Sequence, residues 1–199
     1  MLSSSSVAEG INVGLYTIIA FFFLVILCLG SAILLGRLGD IINYIFYTDH
    51  LTGLSNRAYL DKYFKSMDKK LLDDGFVFCV AEITNLIHIN GEYTRETGDE
   101  IIKMFTDYLR ESYGKTKAEF IYNGNGNFVM ITENSDYITI EDIMRLFKMR
   151  LDDRDEHRSI AIEYKIGIAE TFKENKTARK LFSEAIKNKK SYVSDLTKE

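Results

Sequence analysis

The chain begins with a long apolar run, and shorter hydrophobic patterns follow it to the end. Residues 11–36, INVGLYTIIAFFFLVILCLGSAILLG, contain no charged side chain. A helix of about 26 residues is long enough to cross a hydrocarbon core of roughly 30 Å. A cleaved signal peptide is the alternative, but it has a basic segment before a shorter apolar core. Because Glu9 is the only charge before the run, the pattern favours an uncleaved transmembrane helix.

The flanks of this run predict the organisation of the N-terminal part. Arg37 follows the run and no basic residue precedes it, which places the C-terminal part in the cytoplasm by the positive-inside rule. We expect a short extracytoplasmic tail at 1–10, a single-pass helix of the cytoplasmic membrane at 11–36 and a juxtamembrane helical linker at 37–48. The linker has apolar residues at helical spacing, and it either pairs with its copy in a dimer or packs on its own domain.

From residue 49 onward, the hydrophobic period alternates between that of helices and that of strands. The predicted helices are 56–72, 97–113, 139–151 with Thr139 as its N-cap, and 177–193. The predicted strands are 76–83, 118–124, 127–132 and 159–171. Helices interspersed with strands, including one hairpin, predict an α/β or α+β sandwich in which helices flank a mixed β-sheet.

The stretch IYNGNGNFVMI, residues 121–131, joins the two strands of the predicted hairpin. Its glycines and asparagines tolerate the positive φ angles that tight hairpin turns require. The local pattern therefore predicts a β-turn, and by itself it assigns no function to these residues.

Composition narrows the classes of function. The 199 residues, 46% of them hydrophobic, suffice for one buried core plus an appendage. The net charge is −4, and no basic run follows the pattern of a nucleic-acid-binding surface, so we expect no nucleic-acid partner. Cys28 and Cys79 lack metal-type spacing partners, which indicates free thiols on the reducing side of a membrane. The histidines have no ligand-spaced neighbours, so nothing indicates zinc.

The segment DHLTGLSNR, residues 49–57, resembles the D-x-L-T-G-L-x-N-R opening of the GGDEF family, the diguanylate cyclases. The resemblance extends over about residues 49–190, and it identifies 49–199 as a GGDEF domain with a nucleotide-cyclase-like fold. In this characteristically bacterial family, two facing domains each hold one GTP with divalent metal and join the two into cyclic di-GMP. Such phosphoryl transfer depends on positioning and charge neutralisation.

The family's metal-binding acids are largely replaced in this chain. Where the family has its signature, the sequence has Gly124, Asn125, Gly126, Asn127 and Phe128. By the resemblance, Gly126 replaces a metal ligand and Asn127 its acidic neighbour, while Glu82 falls where the family has a metal-binding Asp. Glycine offers no ligand and a neutral amide is a poor one for Mg²⁺. We therefore expect no certain cofactor, and Mg²⁺ at Glu82 only if activity remains.

The family's guanine-reading pair falls at Asn90 and Asp99. An amide and a carboxylate can recognise the hydrogen-bonding edge of guanine. Both residues also have a local structural interpretation, since Asn90 precedes Gly91 in a turn-forming pair and Asp99 suits the first turn of a helix. The family's phosphate-binding residues near the last helix have no fixed register here. The lysines nearby are Lys187, Lys189 and Lys190.

The resemblance leads to one preferred function and one alternative. The preferred function is a membrane-anchored, degenerate GGDEF protein without cyclase activity, with a regulatory or interaction role in cyclic di-GMP signalling. Guanine nucleotide, a second copy of the chain, or another GGDEF protein would be its partners. The alternative is a divergent diguanylate cyclase in which Glu82 still holds one metal. Loss of the charge that stabilises a transferring phosphoryl group costs several orders of magnitude in rate, which favours the first.

Overall fold

The computed structural model describes residues 4–154, 159–171 and 176–194, and side chains from Leu15 onward. The chain divides into two compact units, 1–46 and 47–199. The first consists of helix α1, Ser4–Tyr47, which runs without a break. Its part Leu15–Tyr47 is long and apolar enough to cross a membrane, with a mean hydropathy of 3.0 and no residue of that apolar window buried in the protein. The boundaries predicted for the tail, span and linker stay predictions, and residues 1–3 of the tail lie outside the described residues.

The second unit is an α+β sandwich, as the sequence predicted. Its helices are α2 Arg57–Ser66, α3 Leu86–Glu92, α4 Arg95–Tyr113, α5 Tyr137–Asp152 and α6 Ala178–Lys187. Its strands are β1 Leu71–Leu72, β2 Val77–Ile83, β3 Ala118–Tyr122, β4 Asn127–Thr132, β5 Ile162–Glu170, β6 Lys176–Thr177 and β7 Lys190–Ser194.

Five strands form the main sheet in the order β3-β4-β2-β5-β7, while β1 and β6 pair separately. Neighbouring strands of the main sheet are antiparallel. The predicted mixture of directions exists between strands that are not neighbours: β2 and β3 run parallel, but β4 lies between them, as in a split β-α-β unit. Parallel pairing in the described part of the chain is a single bridge, between Ser55 and Ile121.

Helices cover both faces of the sheet, because alternate side chains of each strand point to opposite faces. In β2, Cys79 and Ala81 join a core with α3, α4 and α5, whereas Phe78 and Val80 join a core with α2 and α6. The alternation predicted for β5 is confirmed. The five apolar positions of that prediction are buried: Ile162, Tyr164, Ile166 and Ile168 in β5, and Ile160 just before it.

Several predicted element boundaries are wrong, and three of them have a clear structural reason. Helix α2 ends at Ser66, because Lys69 adopts a left-handed φ of +61° and the chain turns into β1. The last predicted helix ends at Lys187, and β7 pairs with β5 instead, since this tertiary pairing overrides local helical periodicity. The N-cap of α5 is Asp136, whose Oδ1 accepts a hydrogen bond from the Thr139 N–H at 2.7 Å.

Candidate functional site

The opening motif folds into a turn that hydrogen-bonds to itself. The Asp49 Oδ1 accepts hydrogen bonds from the Thr52 N–H at 2.9 Å and the Thr52 hydroxyl at 2.8 Å. The Gly53 N–H donates to the Asp49 carbonyl at 2.9 Å, and Gly53 has the positive φ of +63° that this turn requires. Asn56 then caps α2 by accepting from the Tyr59 N–H at 3.1 Å. The motif residues therefore build a rigid entry to the domain.

The same motif extends the outer edge of β3. The Ser55 N–H donates to the Phe120 carbonyl at 3.2 Å, and the Tyr122 N–H donates to the Ser55 carbonyl at 2.8 Å. These two bonds satisfy backbone groups that an edge strand would otherwise leave unpaired. They also hold the motif beside the turn between β3 and β4.

That turn is the position at which the resemblance puts the family's signature. Gly124, Asn125 and Gly126 have φ angles of +83°, +51° and +72°, as the Gly and Asn pattern predicted. The Asn127 N–H donates to the Gly124 carbonyl at 3.0 Å. The Asn127 Nδ2 also donates to the Gly124 and Asn125 carbonyls, at 3.2 and 3.1 Å. The amide of Asn127 thus stabilises the turn itself.

Gly126 is held between β2 and the ring of Tyr122. The Ile83 N–H donates to the Gly126 carbonyl at 2.9 Å, and the Gly126 N–H donates to the Tyr122 hydroxyl oxygen at 3.1 Å. A Cβ at this position would lie 3.1 Å from the Ile83 Cβ and 3.4 Å from the Leu86 Cδ2. Neighbouring side chains therefore occupy much of the space that a side chain at 126 would need.

The hydroxyl of Tyr122 is influenced by acids from two other parts of the chain. Burial raises the pKa of its hydroxyl, the N–H of Gly126 opposes that shift, and the negative charges of Asp49 and Asp99 add to it. Both carboxylates are thus close enough to the Tyr122 hydroxyl to act on it electrostatically. The predicted nucleotide residue Asp99, near the start of α4, is exposed.

Asn90 lies next to the residue that precedes Asp99. A Cβ at Gly98 would lie only 1.8 Å from the Asn90 Oδ1, so the missing side chain of Gly98 makes room for the amide. The Asn90 Oδ1 is buried and makes no hydrogen bond within the described residues. The fold therefore packs Asn90 of α3 against the residue of α4 that precedes Asp99 in the chain.

Glu82, the predicted metal residue, is close to cationic groups. It stands opposite Asn127 of β4 and Lys165 of β5 in the register of the sheet. The Lys189 Nζ lies 2.7 Å from the Glu82 Oε2, in a pair whose side chains are 18% exposed for Lys189 and 31% exposed for Glu82. The carboxylate therefore already has a cation as its partner.

These side chains do not fit the divalent metal that the family's chemistry uses. Mg²⁺ requires near-octahedral oxygen ligands, usually including more than one carboxylate or phosphate. At the signature turn, Gly126 has no side chain, the Asn127 amide bonds to the turn, and Glu82 bonds to Lys189. Within the described residues, no three His, Cys, Asp or Glu side chains are grouped so that they could hold a metal ion.

Other positions of the family pattern have structural explanations. The retained Phe128 is buried and stacks on Phe105 with ring centroids 5.0 Å apart, so it belongs to the core. Ile87, at the position of a family lysine, is 89% exposed and offers no charge to a ligand. The sequence did not identify Lys165 or Tyr122 as part of the site, and it named Lys189 only as one of three lysines without a register.

Comparison with known proteins identifies the family. A model of the GGDEF family, described as diguanylate cyclase, GGDEF domain, matches residues 46–191. The chain therefore belongs to the GGDEF family, and the resemblance indicated by DHLTGLSNR is confirmed.

Two solved structures share the fold. The coiled coil and GGDEF domain of DgcB from Caulobacter crescentus, in complex with c-di-GMP, is 19% identical with a TM-score of 0.65, covering 79% of this chain and 87% of that one. The diguanylate cyclase SiaD from Pseudomonas aeruginosa, in complex with its activator SiaC, is 13% identical with a TM-score of 0.65, covering 92% and 74%. Among curated proteins, the uncharacterized protein YtrP of Bacillus subtilis (strain 168) is 33% identical over 78 residues, 39% of this chain and 13% of that protein. This chain thus matches only a small part of that relative.

Proposed function

We propose that this chain is a membrane-anchored, degenerate GGDEF protein that makes no cyclic di-GMP and acts through binding in cyclic di-GMP signalling. The observation that carries the proposal is the turn at 124–127. It has no acidic side chain, the side-chain amide of Asn127 bonds to the turn, and Ile83 and Leu86 lie close to Gly126. The turn retains its role as a hairpin while lacking the groups that would bind metal.

The alternative, a divergent cyclase, would depend on Glu82. A loose phosphoryl-transfer transition state spreads negative charge over the phosphate oxygens, and metal ions normally neutralise it. One carboxylate that already pairs with Lys189 is a weak basis for that neutralisation. We therefore place the alternative second.

A binding role has precedents among the proteins of the same fold. DgcB was solved in complex with c-di-GMP, and SiaD with its activator SiaC. By extension, we propose that this domain contacts another GGDEF protein or a second copy of itself, with residues 37–48 as the dimer contact. Helix α1 would anchor the chain in the cytoplasmic membrane, with the domain in the cytoplasm.

Product analysis tests the absence of turnover. The full chain is purified in detergent, its folding is checked by circular dichroism, and it is incubated with GTP and either Mg²⁺ or Mn²⁺. Because the acids that would hold the metal are missing, we expect no cyclic di-GMP by chromatography even at high protein concentration. Product that forms with the wild-type chain and disappears in Glu82→Gln would establish the divergent cyclase instead.

Nucleotide binding without turnover is a separate expectation, carried by Asn90 and Asp99. We propose that the Asp99 carboxylate and the Asn90 amide contact the guanine edge; the proposal is supported by the packing of Asn90 against Gly98, the residue before Asp99 in the chain. In a GTP titration with EDTA present, Asp99→Ala should weaken binding by about tenfold, the usual value of a paired hydrogen bond to a base.

The matched control for that titration is Asp107→Ala, because Asp107 is also an exposed carboxylate of α4. It should bind GTP as the wild type does, and ATP should bind neither protein well. If GTP does not bind at all, or if Asp99→Ala and Asp107→Ala bind it equally, the guanine-reading role is excluded. The turn and first-turn interpretations of the sequence are wrong in either case, because Asn90 lies within helix α3 and the first-turn acid of α4 is Glu96.

A further inference from the structure

Glu82 and Lys189 form an ion pair beside the degenerate turn. The separation of 2.7 Å between the Lys189 Nζ and the Glu82 Oε2 is that of a charge-assisted hydrogen bond. The side chains are 18% exposed for Lys189 and 31% exposed for Glu82, so water and salt screen this pair less than a fully exposed one. The pair joins two parts of the chain that are 107 residues apart.

Close packing between α6 and β5 directs Lys189 toward Glu82. A Cβ at Gly167 would lie 2.0 Å from the Ala185 carbonyl oxygen, 2.9 Å from the Lys189 nitrogen and 3.1 Å from the Lys189 Cγ. The absence of a side chain at Gly167 therefore lets the end of α6 and the lysine stem lie directly on the sheet. The Asn188 Nδ2 fixes the same segment by donating to the Ile168 carbonyl at 2.9 Å.

A second cation reinforces the first. Lys165 is the direct cross-strand partner of Glu82 on β5, and directly paired residues point to the same face of a sheet. On the other side, Glu82 is paired with the neutral Asn127. Within the described sheet, Lys165 therefore lies on the same face as Glu82, beside the carboxylate with which Lys189 pairs. A second positive charge on this face opposes the approach of a further cation.

We propose that the ammonium of Lys189 is an internal replacement for the divalent metal, so that the protein itself neutralises Glu82 and the position takes up no divalent cation. The inference rests on the proposed function, since a chain that turned over GTP through Glu82 would need that carboxylate for metal. Glu82 then has a structural role that needs no neighbouring acid, because its ion pair with Lys189 connects the end of β2 to the α6–β7 connection. Nucleotide binding by this domain would then be independent of metal.

A nucleotide-free Mn²⁺ titration of the full chain in detergent, followed by the electron paramagnetic resonance signal of free Mn²⁺, tests this replacement. Lys189→Met keeps most of the apolar stem and removes the charge. We expect it to gain a weak Mn²⁺ site at Glu82, with an affinity about tenfold higher there than in the wild type, because one carboxylate becomes unpaired. The double variant Glu82→Gln, Lys189→Met should lose that site again.

Lys187→Met is the matched control, since Lys187 is an exposed lysine in the last turn of α6, and it should behave as the wild type. A folded Lys189→Met that gains no Mn²⁺ site overturns the proposal. If Lys189→Met does not fold, Glu82→Gln decides: wild-type Mn²⁺ binding that this substitution removes overturns the proposal, and unchanged binding supports it. Because no nucleotide is present, the result is independent of the cyclase assay, and each proposal can fail alone.

Discussion

Gly126 is the residue at which the departure from the family pattern has the clearest structural consequence. Its φ of +72° lies in the left-handed region, and its carbonyl and N–H bond to Ile83 and to the Tyr122 hydroxyl. A side chain here meets both an unfavourable backbone angle and neighbouring atoms at 3.1 Å. An acidic side chain at 126 would therefore require neighbouring atoms of Ile83 to shift by a few tenths of an ångström.

Two alanine substitutions in the same turn separate these effects. Gly124 also has a positive φ of +83°, but a Cβ added at this position would have no atom within 4 Å. Gly124→Ala should cost about 1–2 kcal/mol from the backbone angle alone. Gly126→Ala should cost about 1 kcal/mol more, because Ile83 and Leu86 must move. Denaturant unfolding of both variants measures the difference, and equal losses would show that the site has room for a side chain.

The arrangement of strands explains why the predicted site residues come together. Glu82 is the partly exposed residue next to the end of β2, Asn127 begins β4, and the two are direct neighbours in the sheet. The helices between β2 and β3 return the chain so that the hairpin β3–β4 inserts next to β2. Residues 45 positions apart in sequence therefore meet at one end of the sheet. Lys189, which completes this group, lies in the connection between α6 and β7. Strand β7 is at the edge of the sheet, and the helical periodicity of its sequence predicted a helix there.

The central position of β2 also determines how Cys79 behaves. Its side chain is fully buried between the sheet and the helices of one face, and this burial raises the pKa of the thiol to about 12. Because the thiolate is the reactive form, Cys79 is a core residue rather than a reactive group. This agrees with the free thiol expected from the sequence.

The whole chain combines an apolar helix with a domain that has its own core. Helix α1 exposes its large apolar side chains, among them Leu24 and Ile26, which are 60% and 66% exposed. A helix with exposed apolar residues on all sides is stable in a lipid environment and not in water. The second unit has buried cores on both faces of its sheet. This division supports a membrane anchor followed by a domain that acts in the aqueous phase.

Membrane extraction tests that organisation. The wild-type chain should remain with the membrane fraction through alkaline carbonate and dissolve only in detergent. Leu24→Arg with Ile26→Arg should release it, because each arginine near the centre of a span costs about 2.5–3.5 kcal/mol. The alanine pair Leu24→Ala, Ile26→Ala is the control and should stay in the membrane. Carbonate extraction of the wild type would contradict the anchor.

Local patterns were sufficient to predict much of this protein. Periodicity gave the strand 127–132 and nearly all of β2, because an alternating or continuous apolar run reports burial directly. The Gly and Asn residues of 124–127 predicted a turn with positive φ angles, since few other residues adopt them without strain. The absence of acids at the signature was also visible in the sequence. Each of these features depends on residues that are close together in the chain.

Only the tertiary structure decided what surrounds the altered turn. The pairing of β7 with β5 replaced the predicted end of the last helix, because a partner strand supplied hydrogen bonds that periodicity cannot show. The same pairing, with the contact of α6 on Gly167, brought Lys189 to Glu82. The sequence has no acid at the signature turn, whereas the fold shows that Lys189 forms an ion pair with the nearby carboxylate of Glu82. Charge balance at a site is a sum over side chains from distant segments, and it is therefore decided by the fold.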